Sequence, residues 1–118
     1  MNFNDYQRAA LRTANIGPER ARRDRLANWA LGLIGEAGEI AEDMKKHLYH
    51  EHELDHAALV KELGDVLWYL AVLAQEVGVE LEEVATTNIA KLLLRYPDGF
   101  SPAHSMRRVD EGREEPKQ

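Results

Sequence analysis

The chain has 118 residues, 44% of them hydrophobic, a formal charge of −6 and no cysteine. This is enough for one domain with a modest core. It excludes disulfide and thiolate chemistry, and the negative balance argues against broad nucleic-acid binding, which needs a basic surface.

No apolar run approaches membrane-spanning length, and Met1-Asn2-Phe3-Asn4-Asp5 lacks the apolar core of a signal peptide, so the expectation is a cytoplasmic protein with no membrane partner. A first helix is predicted from Asp5 to about Ala14, because Asn4 with Gln7 three residues on, and Phe3 ahead, has the form of a capping box. Ile16-Gly17-Pro18 stops it. Arg20, Arg22, Arg23 and Arg25 follow as a basic cluster, read as a solvated turn with phosphate steering as the functional alternative.

The second helix is predicted from about Arg25 to His50, with Leu26, Ala30, Leu33, Ala37, Ile40, Met44 and Leu48 as its buried stripe. Trp29, Leu33 and Ile40 anchor a core. Four histidines, His47, His50, His52 and His56, then crowd the connection to a third helix that Asp55 is placed to cap. Their irregular spacing and the lack of thiolates favour a polar turn over a zinc site. The third helix, Asp55 to Val77, carries Leu59, Leu63, Val66, Leu67, Leu70, Leu73, Ala74 and Val77 as its stripe and is closed by Gly78.

A fourth helix from about Glu80 to Arg95 has Leu81, Val84, Ala85 and Leu92 at helical intervals, and Asn88, Lys91 and Arg95 fall within a narrow arc of it. That arc can turn an amide and two cations towards a ligand, or can be an ordinary polar edge with one satisfied amide. Tyr96-Pro97-Asp98-Gly99 has the composition of a β-turn. Residues 1–100 therefore read as the folded domain, and Ser101 to Gln118 as a charged C-terminal arm or tail that orders against another subunit. The predicted class is all-α: a four-helix bundle-like domain around an antiparallel central hairpin, assembling as an oligomer.

The chemistry lies in two acidic patterns, Glu36-Ala-Gly-Glu39 and Glu62-Leu-Gly-Asp65, each on the flank of its helix's apolar stripe and offset in the same sense. In an antiparallel hairpin that offset brings the two pairs to one side. At 1.5 Å per residue they lie about 17 Å and about 13 Å from the tip, level within a turn. Four carboxylates so gathered raise one another's pKa unless a cation neutralises them, and hard divalent ions do so through oxygen ligands. Gly32, Gly35, Gly38 and Gly64 interrupt these helices at roughly 1 kcal/mol each relative to alanine, which implies a close approach by a neighbouring helix or by a ligand.

These residues resemble a known family, the MazG-like all-alpha nucleoside triphosphate pyrophosphohydrolases. The likeness runs from Leu31-Gly-Leu-Ile-Gly-Glu36-Ala-Gly-Glu39-Ile-Ala-Glu42 through Lys61-Glu62-Leu-Gly-Asp65-Val-Leu-Trp-Tyr-Leu70 to Asn88-Ile-Ala-Lys91-Leu and Arg95-Tyr96-Pro97. It implies that Glu36, Glu39, Glu62 and Asp65 bind Mg²⁺, with Mn²⁺ as a substitute. It further implies cleavage of a nucleoside triphosphate to monophosphate and pyrophosphate, with Glu36 or Glu39 as general base. Asn88, Lys91 and Arg95 are the positions for phosphate or base contacts, and Trp29 for lining the base pocket, although an aromatic in an apolar helix also serves as core. Neighbouring chains of a homodimer or homotetramer help to complete each site in such a family.

Three other readings compete. A non-catalytic helical dimer that binds metal or nucleotide for regulation has the same stripes and acids. A phosphoribosyl-ATP pyrophosphohydrolase is the alternative within enzymes. A ferritin-like di-iron centre needs two Glu-x-x-His motifs, and only Glu53-Leu-Asp-His56 has that form, away from the other acids.

Overall fold

The computed structural model describes residues 1–14, 17 and 19–112, and every regular element among them is helical. The order is α1 (Phe3–Leu11), α2 (Arg22–Tyr49), α3 (His56–Glu76), α4 (Leu81–Arg95) and α5 (Pro102–Arg107), followed by a 3₁₀ turn at Val109–Glu111. No helix is long and apolar enough to cross a membrane among the described residues. The chain forms two compact units, Met1–Leu81 and Glu82–Gln118.

In the first unit, α1 begins two residues earlier than the predicted box. Asn2 is the N-cap: its Oδ1 accepts from Asp5 N–H at 2.8 Å, and the Asp5 carboxylate accepts from Asn2 N–H at 3.3 Å. The earlier start places Gln7 on the inner face with Ala10, and both are buried. Instead of capping, Gln7 latches α1 to the end of α3. Its Nε2 donates to the carbonyls of Ala71 (3.2 Å) and Val79 (3.1 Å), and its Oε1 accepts from Leu81 N–H at 2.9 Å. α1 ends at Leu11, ahead of the predicted stop, of which Ile16 and Pro18 lie outside the described residues.

Removing this side chain strands a buried donor and acceptor, each worth roughly 1–3 kcal/mol when unpaired. Gln7→Ala is therefore expected to lower stability by about 3 kcal/mol, read as a fall in the urea midpoint; a midpoint within experimental error of wild type would show that the latch carries no weight.

The ends of α3 match the local signals. Asp55 caps it by accepting from Ala58 N–H at 3.0 Å. Gly78 closes it with φ +77°, a left-handed conformation natural to glycine. The N–H of Gly78 donates to Gln75 O at 3.0 Å and that of Val79 to Ala74 O at 2.9 Å, the double bond of a Schellman end. That turn carries Val79 and Leu81 back to Gln7.

The core corrects the predicted stripes. Ala10, Ala71 and Leu81 are its buried cluster, with Tyr6, Leu67 and Trp68 packed against it. Trp29 is the one buried residue of α2, edge-on to Trp68 with ring centroids 5.6 Å apart. Trp68 Nε1 donates to Ala10 O and Thr13 Oγ1 at 3.2 and 2.9 Å. On α3 the buried residues are Ala71, Val72 and Ala74, whereas Leu63, Leu70 and Val77 of the predicted stripe are exposed. On α2, Ala30, Ala37 and Leu48 are likewise exposed. The reason is that α3 packs against both α1 and α2, and close helix approach selects small residues at the contact. A count that rewards leucine chooses the neighbouring rows instead.

α2 and α3 run antiparallel, as matched pairs along their seam show. Arg25 meets Glu76 (2.5 Å), and farther along α2 Gly32 lies under the ring of Tyr69. A Cβ at Gly32 would stand 2.1 Å from Tyr69 Cε1, so this glycine is the close approach that the sequence implied. Among the described residues, no neighbouring atom lies within 4 Å of where a Cβ would stand on Gly35, Gly38 or Gly64.

In the second unit the predicted turn after α4 is present, with Gly99 N–H donating to Tyr96 O at 3.2 Å. Part of the expected arm is folded within its own chain. Ser101 caps α5 through His104 N–H (3.1 Å), Pro102 occupies its first turn, and Arg108, at φ +48°, turns the backbone into Val109–Glu111. This hook brings Asp110 back to the last turn of α4, where it meets Arg95.

Candidate metal centre

The seam that joins Arg25 to Glu76 and Gly32 to Tyr69 continues towards the hairpin. One turn beyond Gly32 on α2 stands Glu36; one turn before Tyr69 on α3 stands Asp65, with Glu62 a turn further. The acids are thus part of the contact row itself, where the sequence had placed them on a flank. Glu36 and Glu62 are half-buried and Asp65 is exposed. One carboxylate oxygen from each lies within 4.8 Å of the others. Among the described residues this is the group of ligand-bearing side chains that converges in this way.

Electrostatics mark the same place. The Glu62 carboxyl is held above its ordinary range, first by desolvation and then by Glu36, Asp65, Glu39 and Asp43 in turn. The Tyr6 hydroxyl is also pushed up, chiefly by burial and secondarily by the charge of Asp65. Oxygen donors only, partly dehydrated and mutually repelling, fit a hard divalent cation.

The other candidate residues take different positions. Glu39 is exposed and is not among the three converging groups, although its charge reaches Glu62. Trp29 is core: it is 3% exposed, and its Nε1 donates to Glu76 Oε1 at 3.4 Å. Asn88 and Lys91 are exposed on α4. Arg95 is engaged within the second unit, its Nε and Nη2 donating to the two Asp110 oxygens at 2.6 and 2.7 Å and Nη2 also to Glu111 at 3.1 Å.

Of the basic cluster, Arg25 is committed to Glu76, whose carboxyl it holds below the ordinary range. Among the described residues the histidines join no converging group: His47 Nδ1 lies 2.8 Å from the His52 carbonyl, and the rings of His50 and His52 meet edge to face. Among the described residues Glu53 and His56 likewise stand outside the converging group.

Sequence reasoning missed Tyr6 and the Asp110 partner of Arg95. Neither has a local signal, since each reaches its place only through tertiary packing. Asp43, by contrast, is legible in the sequence, because it shares the helical face of Glu36 and Glu39.

Comparison with known proteins agrees with the geometry. The chain is 39% identical over 106 residues to the Gene 37 protein of Mycobacterium phage L5, a match that covers 84% of this chain and 92% of that protein. No solved structure matches the chain significantly. The model of the MazG nucleotide pyrophosphohydrolase domain matches residues 25–100, from the Arg25–Glu76 end of the seam through both acidic motifs to Phe100, and the chain belongs to that family.

Proposed function

We propose that the protein is a Mg²⁺-dependent nucleoside triphosphate pyrophosphohydrolase, converting an NTP or dNTP and water to the monophosphate and pyrophosphate. The observation that carries this reading is the convergence of Glu36, Glu62 and Asp65 on one half-buried seam, in a chain whose family is that of nucleotide pyrophosphohydrolases.

Glu36, Glu62 and Asp65 are the residues that would hold the metal. When bound, divalent ions neutralise phosphate oxygens and the departing pyrophosphate and acidify a water. The chain's own contribution is orientation and proton transfer. The seam fixes the three carboxylates from two helices whose spacing is set by the Gly32–Tyr69 contact. Glu39, one turn from Glu36 and within electrostatic reach of Glu62, completes the acidic set, and it or Glu36 takes the proton of the attacking water on its carboxylate. Lys91 and Arg95 supply positive charge for phosphate oxygens, and Asn88 an amide.

The working form is an oligomer of helical bundles in the cytoplasm. Leu31, Ile34, Val60 and Leu63 are 68%, 70%, 68% and 52% exposed on the acid-bearing helices, more apolar surface than a lone chain usually leaves in water. A second copy covers it, as a homodimer or homotetramer.

The test is a panel of nucleoside triphosphates incubated with Mg²⁺ and resolved by chromatography. Monophosphate plus pyrophosphate is the expected product pair. Orthophosphate would mark another chemistry, and no turnover by folded, metal-loaded protein would favour a regulatory binding role.

A further inference from the structure

The hook after α4 bears on the cations assigned to phosphate, and any role for it rests on that assignment. A guanidinium offers planar donor edges, and carboxylate and phosphate are alternative acceptors for them. In Arg95 the Nε–Nη2 edge is filled by Asp110 in a two-point pairing at 2.6 and 2.7 Å, and Nη2 is shared with Glu111 at 3.1 Å. The Asp110 side chain is 1% exposed and that of Arg95 13%, so the pair is shielded from water.

The rest of the hook is organised around this contact. Arg108 adopts the left-handed conformation that turns the chain inward, and its Nη1 holds Glu111 at 2.8 Å. Lys91, one turn before Arg95, is close enough to Asp110 to help keep its carboxyl ionised, although Arg95 is the main cause. Two acids therefore stand against Arg95, with the charge of Lys91 one turn away.

We propose that Asp110 and Glu111 are an internal substitute for substrate phosphate: in the resting protein they occupy Arg95, and a bound triphosphate must displace them. The hook is then an autoinhibitory contact that weakens phosphate binding until the substrate releases it. A restraint of this kind lowers apparent affinity by the fraction of molecules in the released state.

The test uses the full chain and inorganic pyrophosphate with Mg²⁺ as probe, with binding followed by calorimetry. Asp110→Asn should bind about tenfold tighter than wild type. Asp110→Glu, which keeps the charge, should stay near wild type, and Arg95→Ala added to Asp110→Asn should remove the gain. Equal or weaker binding by Asp110→Asn, or no binding by any variant, overturns the proposal.

Because that substitution can loosen the hook for structural reasons alone, wild-type protein supplies a second reading. Amide exchange over residues 101–112 should quicken when pyrophosphate and Mg²⁺ are added; unchanged or slower exchange contradicts displacement. Nucleotide turnover by the wild type is scored separately. Turnover with no tightening in Asp110→Asn leaves the enzymatic reading intact and removes only the hook's role.

Discussion

Glu62→Gln is expected to reduce Mg²⁺-dependent kcat/KM at least about 100-fold, since it removes a charged ligand from the metal set, and to raise the melting temperature of the metal-free protein. The second effect distinguishes a strained metal ligand from an ordinary surface acid. A carboxyl whose folded pKa is raised holds its proton more firmly folded than unfolded. Stability therefore falls as pH climbs through the ordinary carboxylate range to the folded value, and stays reduced above it. Glu62 is in this position because of desolvation and its acidic neighbours, and glutamine does not ionise.

Mg²⁺ should offset the same repulsion in the wild type. At a hundredfold excess over Kd, binding to the folded state alone adds about 2.7 kcal/mol, on the order of 10 °C in Tm for a chain of this size. That rise should fade as pH falls below the carboxylate range and should be largely absent in Glu62→Gln. Glu76 and Asp110 act in the opposite sense: both are held below the ordinary carboxylate range by arginines. The stability that they contribute is present above that range and is lost as pH falls through their folded values. Differential scanning fluorimetry across pH, with and without Mg²⁺, reads both signs.

Gly32→Leu should destabilise the fold by at least about 3 kcal/mol, because overpacking costs roughly 1–3 kcal/mol and more when a rigid ring must move. A Cβ alone would stand 2.1 and 2.3 Å from Tyr69 Cε1 and Cζ. Even Gly32→Ala should lose stability, although alanine is the better helix former by about 1 kcal/mol. Displacing Tyr69 also spreads the rows that hold Glu36 against Asp65, so metal affinity should fall with stability.

Gly35→Ala, Gly38→Ala and Gly64→Ala provide the contrast. Among the described residues no neighbouring atom lies within 4 Å of where their Cβ atoms would stand, so each should gain up to about 1 kcal/mol in the helix. Where such a variant gains stability in urea yet loses activity, a nucleotide or second copy packs on that glycine.

The parts of this fold legible in the sequence are those decided locally. The Asp55 cap, the Gly78 stop and the Tyr96–Gly99 turn depend on residues within four of one another, and each stands where the spacing put it. The nearness of Glu36, Glu62 and Asp65 follows from the same local patterns, helical periodicity and an antiparallel hairpin, whereas Glu39 does not join the three. The depth of the three was not legible. Whether Glu36 stands on a flank or on the contact row depends on how α2 rotates against α3, and Gly32 and Tyr69 set that rotation by close approach, which hydropathy does not record. Gln7 shows the same limit. As a polar residue at helical spacing from Asn4 it looked like a cap, and only the return of Val79 and Leu81 makes it a buried latch. The Arg95–Asp110 pair spans a turn and a short helix, and no local pattern links the two.

Anomalous scattering from crystals grown with Mn²⁺ tests the metal seam most directly. The expected map has a peak bounded by the carboxylates of Glu36, Glu62 and Asp65. A map with that position empty at saturating Mn²⁺, or with the ion held only by other residues, would contradict the proposed centre and the hydrolytic chemistry built on it.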